Sequence, residues 1–220
     1  MSTTFTRPCS LLAAALAATL WAWPTGGVAA PPRADRIEAQ PMGTVTTYHR
    51  KSSGSLGSYD GPVVWTHSSG TWQGKPAVSF GSPVGGAALH DPVSFAILAQ
   101  LDPAGKLLVS YDPPMDYAWP LEVGKTWSTN YTVTNHVAGR VVQVKVDGKV
   151  ESWGDITVPA GTFKAFKLVW SNSLGESETR WVAPQDGLAT VKRHVERVAS
   201  HPQGPGVLDA ELLSRQLPAP

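Results

Sequence analysis

Cysteine is nearly absent from this chain. Cys9 is the only one among 220 residues, and it lies within an apolar N-terminal stretch. That stretch is expected to be removed on export, which would leave a mature chain without a thiol. Disulfides, thiolate metal sites and cysteine nucleophiles are then excluded. Clustered positive charge is also missing: Lys and Arg number 18 against 17 Asp and Glu, and no basic run exceeds the pairs Arg50-Lys51 and Lys192-Arg193. The electrostatic footprint of a nucleic-acid binder is therefore absent. Beyond residue 30 no segment approaches 18 consecutive apolar residues, so no stable membrane span is expected.

Catalytic signatures are scarce as well. No Gly-x-Ser-x-Gly elbow occurs, and the histidines at 49, 67, 90, 136, 194 and 201 show no spacing of the His-Glu-x-x-His kind. Neither a metal site nor a cofactor is expected. His90-Asp91, with Ser94 close by, supplies hydrolase residue types but not the strained-turn context a serine nucleophile needs. The pair His90 and Asp91 remains the catalytic alternative. Glu176, Glu178 and Asp155 stand near turns, where carboxylates are usually solvated.

Residues 1–30 have the anatomy of a cleavable signal peptide. Arg7 opens it, residues 11–22 form the apolar core, and Pro24, Gly26 and Gly27 break that core before Val28-Ala-Ala30. Cleavage is expected near Ala29 or Ala30. Thr6-Arg7-Pro8 before Cys9 does not match a lipidation context, so no lipid anchor is expected. Losing the leader removes Arg7 and no acid, leaving the two charge signs balanced. The destination is periplasmic or secreted, and the missing thiols favour a bacterial periplasm.

Next come residues 31–42, polar and bounded by prolines, which read as a linker or loosely held arm. Residues 43–217 read as one antiparallel all-β domain, because turn signals recur every ten to fifteen residues and no helical periodicity is sustained. Residues 156–170 form its clearest hairpin. Val158-Pro-Ala-Gly161 makes the turn, and Phe166, Leu168 and Trp170 then share one face. Asp147-Gly148, flanked by alternating Val142, Val144 and Val146, predicts a further two-residue hairpin turn. Residues 68–74 read as a Ser/Gly loop between two strands. Asp102-Pro-Ala-Gly105 predicts a turn, with residues 106–111 returning as a strand, although Asp91-Pro92 could also open a helix. The overall expectation is a β-sandwich or a curled sheet or half-barrel.

Three stretches carry a resemblance: Trp119-Pro-Leu-x-Val-Gly-Lys-x-Trp127, Val158-Pro-Ala-Gly-Thr-Phe163, and Arg180-Trp-Val-Ala-Pro-x-x-Gly187 leading to Val191-Lys-Arg193. Together, over roughly residues 115–217, they resemble a group of uncharacterised exported bacterial β-sheet proteins. The resemblance implies a curved antiparallel sheet of the kind found in periplasmic proteins, some of which handle lipids or lipoproteins. It implies no catalytic residue.

Seven of the nine tryptophans lie beyond the leader, at 65, 72, 119, 127, 153, 170 and 181. They either fill the interior of a curled sheet or line a cavity for an apolar ligand. Trp65, Trp119, Trp127 and Trp170 are the candidate ligand-binding residues, and Trp72 is the one expected to be exposed. The function expected is that of an exported, non-enzymatic protein binding an apolar small molecule, lipid-like in character, or an envelope protein. The alternatives are a hydrolase and a structural or assembly module of the envelope working through a sheet edge.

Overall fold

The computed structural model describes Met1 and residues 32–219. The signal peptide, its cleavage site and Cys9 lie outside the described residues.

The hairpin read from residues 156–170 is present. β10 (Arg140–Val158) turns at Pro159-Ala160 into β11 (Gly161–Asn172), with Val158 opposite Gly161. Successive antiparallel partners follow: β12 (Glu176–Ala183), a short 3-10 turn at Pro184–Asp186, β13 (Leu188–Arg197) and β14 (Gly206–Gln216). The next neighbour of β14 is β2 (Val45–Gly54), from the opposite end of the sequence. From there the order runs through β3 (Tyr59–Trp72), β4 (Lys75–Ser82), β5 (Gly86–His90), β6 (Ile97–Leu101), β7 (Leu107–Met115) and β9 (Thr126–Asn135) back to β10. Twelve strands thus close into an antiparallel barrel. β1 (Arg33–Ala34) and β8 (Leu121–Glu122) form a separate two-stranded sheet. Among the described residues no helix is long and apolar enough to cross a membrane.

The all-β antiparallel class expected from the turn spacing is correct, and the closed barrel is more specific than the curled sheet or half-barrel expected, with no sandwich. The sheet has no open side, because β2 and β14 pair along their length, from Gly54–Gly206 to Val45–Gln216. That pairing spans most of the sequence, so no local pattern announces it.

Asp147-Gly148 is a second correction, since both residues lie inside the 19-residue strand β10. Gly148 is there for space. Its cross-strand partners are Trp127 on β9 and Trp170 on β11, and a Cβ at Gly148 would lie 2.2 Å from Trp127 Cζ2. Asp147 pairs with Lys145 at 2.9 Å. Residues 68–72 likewise extend β3, and only Gln73-Gly74 turns. The hairpin preferred over a helix at residues 97–111 is present as β6 and β7.

One end of the barrel is filled. Residues 32–42, expected to be loosely held, are packed: β1 pairs with β8, the Glu38 amide donates to the Pro184 carbonyl at 2.9 Å, and Gln40 Nε2 donates to the Gly187 carbonyl. Ala34, Ile37 and Leu121 join Phe95 and Tyr117 in one apolar cluster with Val150, Phe166, Leu168 and Val182 of β10–β12. This mixture of arm, loop and strand residues makes the barrel's main core.

Overpacking a fixed indole costs about 1–3 kcal/mol. Gly148→Ala should therefore destabilise the protein by about 2 kcal/mol in chemical unfolding, and the loss should largely vanish in a Trp127→Ala background. An equal loss in both backgrounds would show that the glycine serves backbone conformation, not the tryptophan.

Candidate functional site

Alternation along the strands turns every second residue inward. One hydrogen-bonded row across β11, β12, β13, β14, β2 and β3 reads Leu168, Arg180, Arg193, Ala210, Arg50 and Gly61. The next row, toward the β11–β12 and β13–β14 connections, contains Trp170, Glu178, Val195, Leu208 and Ser52. Toward the arm end come Leu212, Tyr48 and Val63, and beyond them Thr46 and Trp65. Mostly apolar rows, which also carry Glu178 on one side and Arg215 opposite Thr46 on the other, thus flank one row rich in arginine.

A cavity of about 320 Å³ occupies the lumen between β2–β7 and β12–β14. Its apolar wall includes Val63, Trp65, Phe80, Leu188 and Leu208, and its polar groups include Tyr48, Arg50, Gln100, Arg180 and Arg193. The free space is bordered by small residues, Gly85, Ala87, Ala88, Ala189 and Ala210. A second space of about 30 Å³, near the volume of one water, lies among Trp127, Trp170, Tyr131 and Leu168.

The cavity's electrostatics centre on Glu178, whose side chain is only 5% exposed. Arg180, 8% exposed, places Nε and Nη2 on its Oε1 at 2.6 Å, and Arg193 Nη2 reaches its Oε2 at 2.9 Å. Arg180 Nη1 also donates to the Tyr117 hydroxyl and stacks over the Trp170 ring. Burial works against the Arg180 charge, but neighbouring Glu178 and Tyr117 outweigh it and hold its pKa above the usual value. Arg50 has no carboxylate partner among the described residues. Its Nη2 donates to the Leu56 carbonyl at 2.8 Å, and its Nε has no partner. Burial, followed by the charge of Arg193, pushes the Arg50 pKa down. Tyr48 donates to the Thr190 carbonyl at 2.8 Å, and burial drives its pKa up to about 12.

The tryptophans named from sequence separate. Trp65 lines the large cavity, while Trp127 and Trp170 line the small one. Trp119 lines neither; its Nε1 donates to the Ser94 carbonyl at 2.8 Å and it packs beside Tyr117. Trp72, near the β3–β4 turn, is half-buried. His90 is buried, donates Nδ1–H to the Phe95 carbonyl at 3.0 Å, and stacks on the Phe95 ring. Asp91 Oδ1 accepts from the Val93 and Ser94 amides and the Ser94 hydroxyl, at 2.8–3.0 Å. These hydrogen bonds shape the β5–β6 loop, and no hydrogen bond joins His90 to Asp91.

Asp155 is exposed and pairs with Lys164 at 2.8 Å, whereas Glu178 is buried, not solvated. Arg50, Arg180 and Arg193 were the charged lining residues missed in sequence, and Glu178, which pairs with two of them, reads in sequence as a solvated carboxylate. Their signal was parity: Glu178 and Arg180 alternate in step with Val182, and Arg50 with Tyr48.

No family model and no curated protein matches this chain. Among solved structures it is similar to the hypothetical lipoprotein YmcC from Escherichia coli, at 10% identity and a TM-score of 0.43, covering 80% of this chain and 85% of that one. It is also similar to a Bacteroides fragilis protein described as having a YmcC-like fold, at 11% identity and a TM-score of 0.44, covering 83% and 99%. At these levels nothing about a site or an activity carries over.

His67, buried against Phe80 with ring centroids 4.4 Å apart, has no hydrogen-bond partner on either ring nitrogen. Burial, assisted by the charge of Arg215, pushes its pKa down to about 4, and burial does the same to His90. The unfolded state takes up protons near pH 6.5, well before the folded state does. Stability should therefore fall as pH drops from about 6.5 to about 4, with His67 contributing about 2 kcal/mol of that loss at pH 5. Urea unfolding at pH 7.5 and pH 5 should show a smaller acid loss in His67→Phe than in the parent. An identical loss would mean that His67 takes up its proton in the fold as readily as in the unfolded chain.

Proposed function

We propose that this protein is an exported, non-enzymatic carrier that holds an apolar small molecule inside its barrel. The observation that carries the reading is the lumen cavity of about 320 Å³, lined by Val63, Trp65, Phe80, Leu188 and Leu208. Its volume lies within the range of small-molecule sites, roughly 300–1,000 Å³, and its mostly apolar wall with a few converging polar groups is their usual composition. The leader expected over residues 1–30 supports a periplasmic or secreted location. The hydrolase alternative gains no support, because the His90 and Asp91 hydrogen bonds are used within the β5–β6 loop. Assembly by strand addition needs an unpaired edge, and every barrel strand has two neighbours.

Native purification followed by mass spectrometry of an organic extract should release one small molecule at near-stoichiometric amount. Trp65→Ala should lower its occupancy while the protein stays folded, because the ring forms part of the cavity wall. An empty extract, together with no binding of an environment-sensitive apolar dye to the lumen, would overturn the reading.

A further inference from the structure

Charge in the lumen is unbalanced. Arg50, Arg180 and Arg193 share one row around the wall, and Glu178 is the carboxylate that meets two of them. Three guanidinium groups against one carboxylate leave an excess of two positive charges at this level. The neighbouring Glu176–Arg197 pair, at 2.6 Å, is already balanced. Glu178 is saturated as well, since one oxygen takes Arg180 and the other takes Arg193.

The surplus has a location. Arg50 and Arg193 both sit opposite Ala210, one strand apart on either side of it, so their Cα atoms are about 9–10 Å apart. Ala210 fills little of that gap, and Gly61, the next residue in the row, adds no side chain. The Nε atoms of Arg50 and Arg193 are both buried and without partners. Arg193 retains 33% of its side-chain exposure, against 8% for Arg180, so this part of the row is the wetter one. Arg50 is a partly buried cation without a counter-charge, which is costly, and Arg193 shares its one carboxylate, Glu178, with Arg180, so an anion entering between Arg50 and Arg193 gains charge-assisted hydrogen bonds. The same cavity continues to Val63, Trp65, Phe80 and Leu188; Arg215 stands opposite Thr46 in the row of Trp65 but does not line the cavity.

We infer that the carried molecule is an acidic amphiphile, whose anionic head lies between Arg50 and Arg193 and whose apolar body extends toward Trp65. This rests on the carrier reading and narrows it to one ligand chemistry. Carboxylate and phosphate heads both satisfy the geometry, since either accepts from two guanidinium forks. Arg180 has a different role: with Glu178 and Tyr117 it is already hydrogen-bonded within the wall.

The test is calorimetric titration of the native protein, stripped of bound organic molecules, with decanoate, decyl phosphate and decanol as probes. At least one acidic probe should bind about tenfold or more tightly than decanol, the size of effect charge-assisted hydrogen bonds produce. Which of the two binds better identifies the head group. Arg50→Gln should erase the preference, bringing the affinity of the favoured acidic probe down to that of decanol. It should also leave the melting temperature of the empty protein unchanged or raised, because it removes an uncompensated charge. If decanol binds as tightly as both acidic probes, the head-group inference falls and the carrier reading survives. Failure of all three probes to bind would overturn both. A large drop in melting temperature for Arg50→Gln, with the preference intact, would make Arg50 structural and overturn the inference.

Discussion

The pairing of β14 with β2 is the constraint on which the rest of this structure depends. It joins residues 206–216 to residues 45–54 and closes the sheet. After closure, every inward position on twelve strands faces one shared lumen. Apolar residues are then enclosed from all sides, and an inward charge has little access to bulk water. Glu178 is therefore acceptable only because two arginines satisfy both of its oxygens. Without closure the same residue would stand on the face of an open sheet, as the sequence suggests.

Closure also decides where the interior is full and where it is not. On the β9–β12 side the inward residues are large: Trp127, Tyr131, Phe166, Leu168 and Trp170. Ala34, Ile37, Tyr117 and Leu121 complete the packing from the arm and the β7–β9 connection. Gly148 shows how tightly that side is filled, since the indole of Trp127 occupies the space of its missing side chain. Across the lumen, Ala87, Ala88, Ala189 and Ala210 are too small to meet in the middle, and the cavity follows from their size. The tryptophans therefore divide between the two halves of the interior. Most are core, and Trp65 is wall.

Local features were legible in the sequence to the extent that their cause is local. The Val158-Pro-Ala-Gly161 turn and the Asp102-Pro-Ala-Gly105 turn with its return strand depend on adjacent residues, and the structure has them. Asp147-Gly148 carries the signature of a turn but lies within a strand, because the reason for Gly148 is a tryptophan twenty-one positions earlier. The polar composition of residues 32–42 hid the few apolar contacts, Ala34 and Ile37, that fix the arm. Of the site, Trp65 could be named from residue type alone. Arg50, Arg193 and Glu178 could not, because a charged residue on a strand usually marks the outer face. Here their parity with Tyr48 and Val182 was the better guide.

The arginines also show why the lumen's polar groups are not all alike. Arg180 is the most enclosed of them, yet it is fully engaged: a carboxylate, a phenol and an indole face surround its guanidinium. Removing it would leave Glu178 with Arg193 alone and take away the Tyr117 hydrogen bond, so its role is to hold the fold. Arg50 is less enclosed but poorly satisfied, with one backbone carbonyl as its hydrogen-bond partner and Arg193 as a like-charged neighbour. A group placed so disfavours the empty protein slightly and favours any bound state that supplies a negative charge. Because both arginines line the same cavity, one row of the barrel combines a structural ion network with an unsatisfied cation, and the unsatisfied one faces the space the small residues leave open.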